Sequence, residues 1–348
     1  MPPLFLEHSN FMKLIGLVFF LVLTWAPASA QWVKQSVNTT ASFRGLSVVS
    51  EKIVWASGTG GTVIKTTDAG RTWNVMTVPG AEKLDFRDIE AFDANTAYIL
   101  SIGNGESSRI YKTTDGGATW KLQFTNKNEK AFFDAIACWD KYNCIAVSDP
   151  VDAQYLFMST TDGGEGWFGI LSDPRSTANA KAGEAAFAAS GTCLYMSADR
   201  TVFLVSGGTD ARVFRSDHLG EGWRTFNTPI RKGNAGSGIF SIAMLDTTIG
   251  VIVGGNYEKP AETENSLAFT ADGGQTWSLG SGLSGFRSAV TYVDKKTIIA
   301  VGTNGTDISR DSGRIWKKIG TEDLNAVAAK GKNAVWAVGP KGMVVKLK

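Results

Sequence analysis

The chain has 348 residues, 43% hydrophobic and 20% charged, a balance that excludes an intrinsically disordered protein. A formal net charge of +2 argues against general binding to nucleic acid or membranes, but it leaves room for a local charged patch. The 39 glycines suit a chain with many tight turns.

Lys13 precedes an apolar run over residues 14–27 (LIGLVFFLVLTWAP), and Ala28, Ser29 and Ala30 supply small residues for cleavage before Gln31. The run is short of the roughly 20 residues a membrane span needs. With no cysteine at the cleavage point, a lipoprotein is not expected. Residues 1–30 therefore read as a short extension plus a signal peptide, with Met12 the natural start. Residues 31–348 read as one domain exported to the periplasm or beyond, with no stable membrane span after cleavage.

From residue 46 onward the chain alternates apolar and polar residues in short runs: 46–49, 53–56 and 62–65. Such period-2 runs between Gly, Asp and Asn turns indicate antiparallel strands. The phrase TTDAGRTW (residues 66–73) follows, and then a fourth run, 73–78. The phrase recurs as TTDGGATW (113–120), TTDGGEGW (160–167), TADGGQTW (270–277) and SRDSGRIW (309–316). One more copy, SDHLGEGW (216–223), the fourth in chain order, has an extra residue between its Asp and its Gly. The tryptophans Trp73, Trp120, Trp167, Trp223, Trp277 and Trp316 mark repeats of the length of a four-stranded propeller blade.

The phrase falls on the turn between strands three and four of each blade. Its carboxylates, Asp68, Asp115, Asp162, Asp217, Asp272 and Asp311, can accept hydrogen bonds from the turn's own backbone. The Gly two residues on can adopt positive φ, and the Trp packs its apolar face against the hairpin. The phrase resembles the Asp-box, S/T-x-D-x-G-x-T-W, of sialidases and related propellers. That likeness implies a folding element on the face away from any active site.

Between the second and third copies, Cys138 and Cys144 flank a loop that suits facing positions on a hairpin, and an exported protein could bond them. Cys193 is expected to be a buried thiol. Signal cleavage would leave His218 as the sole histidine, which nearly excludes histidine triads and His-rich metal sites. No cofactor or metal is expected. After the sixth copy only three strand-like runs remain, 324–328, 334–338 and 343–347. Residues 32–37 supply the missing fourth, with Trp32 in the place of the repeated Trp. The expected fold is thus all-β: a seven-bladed propeller closed by pairing its two termini, which removes exposed strand edges.

Function is then expected on the face opposite the repeated turns, where the first strands begin and strands two and three join. Aligned strand starts place Arg44, Arg87 and Arg287 in one register (Phe43-Arg44-Gly45, Phe86-Arg87-Asp88, Phe286-Arg287-Ser288). Asp88, Asp134 and Glu184 continue the ring as carboxylates. The second set of loops adds Arg109, Asp149, Arg212 and the long segment 254–260 with Tyr257. Convergent guanidinium groups suit carboxylate or phosphate ligands.

Three classes of function fit this pattern: a glycosidase of either of two kinds, a carbohydrate-binding propeller and a partner-binding scaffold. A sialidase-type glycosidase would use such arginines, yet the early R-I-P signature of that family is absent, and no Tyr begins a late inner strand. A carboxylate-pair hydrolase could draw on Asp88, Asp134, Asp149 and Glu184. A carbohydrate-binding propeller would need no fixed chemistry. Short blades with Asp-box turns and Phe86-Arg87-Asp88-type strand starts, in one exported seven-bladed chain, resemble the photosystem II stability/assembly factor family over roughly residues 31–348. That resemblance implies a non-enzymatic scaffold binding a protein partner through an arginine-bearing face. The preferred reading is therefore a monomeric scaffold binding a protein or an anionic glycan, and no nucleic acid, through Arg44, Arg87, Arg109, Arg212, Tyr257 and Arg287.

Overall fold

A computed structural model describes Met1, residues 31–170 and residues 178–348. Apart from Met1, the expected extension and signal peptide lie outside the described residues. No helix among the described residues is long and apolar enough to cross a membrane.

Seven antiparallel sheets follow one another along the chain, each built on four blade strands as the repeats require, and the blade-five sheet is extended to six strands by the short pieces Glu184–Ala185 and Gly207–Gly208. Blade one comprises Phe43–Val48, Val54–Gly58, Thr62–Thr66 and Asn74–Thr77, and blade two Phe86–Ala91, Ala97–Ser101, Arg109–Thr113 and Lys121–Thr125. Blade seven joins Ala326–Ala329, Val335–Val338 and Val344–Leu347 to Trp32–Lys34, with Trp32 opposite Leu347. The ring is closed by its two ends, as expected. Trp32 is buried against blade six, and its indole N–H donates to Thr306 Oγ1 at 2.9 Å.

The repeated turns are built on their own side chains. In blade two, Asp115 Oδ1 accepts from the hydroxyl of Thr113 (2.8 Å) and from the amide of Thr119 (2.9 Å). Gly117 closes the turn at φ 89°. A Cβ there would lie 2.5 Å from Met76 Sδ of blade one, so the turn also needs Gly for close approach. The hydrogen bonds to Thr119 and Thr113 hold the Asp115 carboxyl at about 2. In the irregular fourth copy, Arg215 and Arg224 bind Asp217 instead.

The repeated Trp does more than cover its own hairpin: it packs on the preceding blade. Trp120 meets Trp55 edge-on, Trp167 meets Tyr98, Trp223 stacks on Phe157 and Trp73 meets Trp336. Each of these four interfaces therefore buries a large aromatic pair, with side-chain donors as stitches. One such stitch is Lys65 Nζ, which donates to Gly116 O at 2.8 Å.

Cys138 and Cys144 face each other across the blade-three hairpin and are bonded, while Cys193 is a free, buried thiol.

Candidate functional site

Blade four departs from the aligned pattern, and the departure makes the site. Glu184 and Ala185 were expected to begin its first strand. They instead pair with Gly208 and Gly207 in a short ladder, and the inner strand proper is Leu194–Met196. Residues 186–193 are therefore an insertion, and they run into the axis of the ring.

The contacts of this insertion reach five other blades. The Phe187 ring stacks on Phe240 of blade five, 3.9 Å between centroids. The carbonyls of Ala188 and Ala189 accept from Arg87 Nη1 (3.3 Å) and Arg44 Nη1 (3.1 Å), in blades two and one. The amide of Ala186 donates to Asp149 of blade three at 2.8 Å. Ser190 Oγ donates to Ser288 O of blade six at 3.2 Å. Gly191, at φ 76°, lies so close to blade two that a Cβ would sit 2.1 Å from Asp88 Oδ1. Only a segment on the axis can touch all of these, so the insertion plugs the channel.

Above the plug, at the mouth, lies a cavity of about 350 Å³. Arg44 and Arg87 form one side, and Phe187, Phe240, Phe286 and the half-exposed Tyr257 form the other. Burial, and then the neighbouring Arg87, lower the Arg44 guanidinium to about 10, partly offset by Asp85 and Asp323. Arg87 Nε donates to Asp85 at 2.8 Å. Arg44 has no ion pair among the described residues. The two cations are thus close enough to disfavour each other, which is what an anion placed between them would relieve.

Beneath and beside the plug the charge reverses. The Asp88 carboxylate accepts from the amides of Ile89 and Ile136, both at 2.8 Å, and burial raises it to about 7. Burial raises Asp149 to about 6. Burial, and then the neighbouring Asp149, raise Asp134, which is buried in the first strand of blade three.

These placements correct several sequence expectations. Arg287 is fully buried: its Nε donates to Asp307 at 2.9 Å and its Nη1 to Asn304 at 2.6 Å, so it cannot read an external anion. Arg212 is buried against Glu184, with Nε donating to Oε1 at 2.9 Å, and Arg109 is satisfied by Glu106 O at 2.7 Å outside the cavity. The four acids of the hydrolase alternative do not face the mouth as a free pair. Asp149 holds the plug amide of Ala186, Asp88 holds strand amides, Glu184 holds Arg212 and Asp134 is buried within blade three. Sequence reasoning missed Phe187, Phe240 and Phe286. The recurrent Phe at strand starts was the available signal, since the gap from Trp167 to Trp223 is nearly matched by that from Trp223 to Trp277.

No family model matches the chain, and no curated protein matches it in sequence. Its fold is similar to solved structures. A YCF48 bound to a D1 peptide aligns with a TM-score of 0.67 and 18% identity, covering 91% of this chain and 96% of that one. YCF48 from Cyanidioschyzon merolae aligns with the same TM-score at 16% identity, covering 91% of this chain and 99% of that one. A GH74 enzyme from Niastella koreensis gives a TM-score of 0.56 at 11% identity, with 91% of this chain and 60% of that enzyme covered. At these identities the likeness is one of fold, a seven-bladed propeller.

Proposed function

We infer that this protein is an exported, non-enzymatic scaffold that captures a segment of a protein partner in the mouth cavity, on the face opposite the repeated turns. The observation that carries this reading is the blind cavity itself, with two guanidinium groups on one wall and four aromatic rings on the other. Such a lining suits a short peptide segment that places a carboxylate beside an apolar side chain. The repeated turns fit the Asp-box pattern, in keeping with a structural part for that face. The solved YCF48 bound to a D1 peptide supports a binding part for a propeller of this form.

The test is fluorescence anisotropy with a library of short labelled peptides. Those pairing Asp or Glu with Phe, Tyr or Leu should bind, and peptides with Lys in place of the acid should not. Replacing both Arg44 and Arg87 with Ala should weaken capture by at least about tenfold, the loss expected when a charge-assisted hydrogen bond is removed. The Arg→Lys pair should restore part of it. Equal binding by wild type and the double Ala variant, with both folded by circular dichroism, would overturn the assignment.

A further inference from the structure

The repeated-turn face, opposite the mouth, is strongly polarised. It is formed by seven turns between first and second strands and by the six repeated turns. In blade six these turns carry exposed Lys295, Lys296, Arg310 and Arg314. The adjoining blades seven and one add exposed Lys330, Lys332, Lys52 and Arg71. The acids of this sector are mostly committed. Asp68 and Asp311 are bound within their own turns, and Asp294 accepts from the amides of Lys296 and Thr297 and pairs with Lys332. The corresponding turns of blades two to five are acidic, with Asp93, Glu165, Asp199, Glu221 and Asp246 among them. Lys141 and Arg200 are their only Lys or Arg residues. The small net charge of the whole chain hides this separation.

Two further observations fall in the basic sector. Ile315 occupies the place where Thr72, Thr119 and Thr276 donate to their Asp, and its side chain is 73% exposed between the arginines of its turn. The second concerns the course of the chain. Strand three of every blade runs toward this face and strand four leaves it. Trp32, opposite Leu347, therefore lies at this face in blade seven, and Gln31 O accepts from the amide of Lys348 at 2.9 Å. Cleavage before Gln31, as expected from the sequence, leaves the new α-amino group as a further positive charge in the middle of the basic sector.

The geometry points to a membrane-docking surface: the blade six–seven–one sector of the repeated-turn face binds anionic lipid headgroups, with Ile315 entering the interface. Basic side chains on one face and an apolar tip among them are the ingredients of peripheral lipid binding. An acidic protein would account for the charge but not for Ile315. In this orientation the mouth points away from the bilayer and stays open to a partner.

The test uses residues 31–348, which contain every described strand and core cluster, sedimented with vesicles. Binding is expected to phosphatidylcholine vesicles with about one third phosphatidylglycerol, at about 50 mM salt, and not to phosphatidylcholine alone. It should be lost at about 500 mM salt, where surface charges are screened over a few ångströms. Changing Lys295, Lys296 and Lys330 together to Gln should weaken partition on the order of a hundredfold, about fivefold for each residue. Ile315→Thr restores the side chain used in three other turns, so it should weaken binding without lowering Tm. The Arg44→Ala, Arg87→Ala protein, altered only at the mouth, should bind vesicles as wild type does. Equal binding to neutral vesicles, wild-type binding by the triple or the Ile315 variant, or binding to polyglutamate but to no vesicle would each overturn the proposal.

Discussion

Ring closure makes a sharp quantitative claim about Trp32. It is 5% exposed and belongs to one buried cluster with Val301, Ile308 and Leu324, and its indole N–H meets the fully buried Thr306 hydroxyl at 2.9 Å. A buried Trp removes about 200 Å² from water, or about 5 kcal/mol at 25 cal/mol/Å². Measured large-to-Ala changes in cores cost about 3–5 kcal/mol, and a lost buried hydrogen bond about 1 kcal/mol more. Trp32→Ala should therefore lose about 4–6 kcal/mol in urea equilibrium unfolding, followed by circular dichroism and by tryptophan fluorescence to check that the two transitions coincide. Trp32→Phe keeps most of the apolar area and loses only the N–H, so it should cost about 1–2 kcal/mol. Removing residues 31–35 should be at least as damaging as Trp32→Ala, because it also exposes the edge of Val344–Leu347. A Trp32→Ala protein within about 1 kcal/mol of wild type would show that the N-terminal strand merely covers the ring, contrary to the reasoning above.

Arg287→Ala leaves Asp307 as an uncompensated buried carboxylate, so it should cost about 3–5 kcal/mol while peptide capture by the folded fraction is unchanged; weakened capture at unchanged stability would contradict its placement. Stability should also depend on pH in a definite sense. Asp88 and Asp149, raised to about 7 and about 6, keep their protons in the fold where the unfolded chain has released them. Folding then takes up protons, and stability falls as pH rises from about 4 to about 7. Asp68, Asp115 and Asp272, lowered to about 2, contribute stability that is present above about 4 and lost as pH falls toward 2. Tm measured across this range should peak near pH 4–5, and a Tm that climbs steadily from pH 4 to 8 would refute the burial argument.

The architecture was legible because it is written in local chemistry repeated many times. Each turn needs an Asp, a Gly and a Trp at fixed spacing, and period-2 runs mark the strands between them. Even the closing strand was visible, since a three-stranded remainder at one end demands a donor at the other. The mouth was only half legible. Arg44 and Arg87 share a register with Arg287, yet Arg287 meets Asp307 across one blade and turns inward. Register along a strand fixes where a side chain starts, and the partner within reach fixes where it ends. The plug was not legible, because residues 186–193 carry no repeat to compare against and their contacts lie in five other blades. The polarity of the repeated-turn face was present in the sequence but summed to almost nothing over the chain.

The plug also sets an order of assembly. Its clamps in Arg44, Arg87 and Asp149 all precede it in the chain, whereas Phe240 and Ser288 follow. Once synthesis has passed blade four, the nascent chain already holds the plug and every polar group that fixes it to blades one, two and three. This first half can organise around its own axis before blades five to seven exist, as domains made N-terminus first commonly do. The seam in blade seven joins Trp32 to Leu347 and so carries nearly the longest loop the chain can form, with the largest entropy of closure. The plug thus gives the growing ring a hub to build upon, and it leaves to the seam only the final step of bringing two prepared edges together.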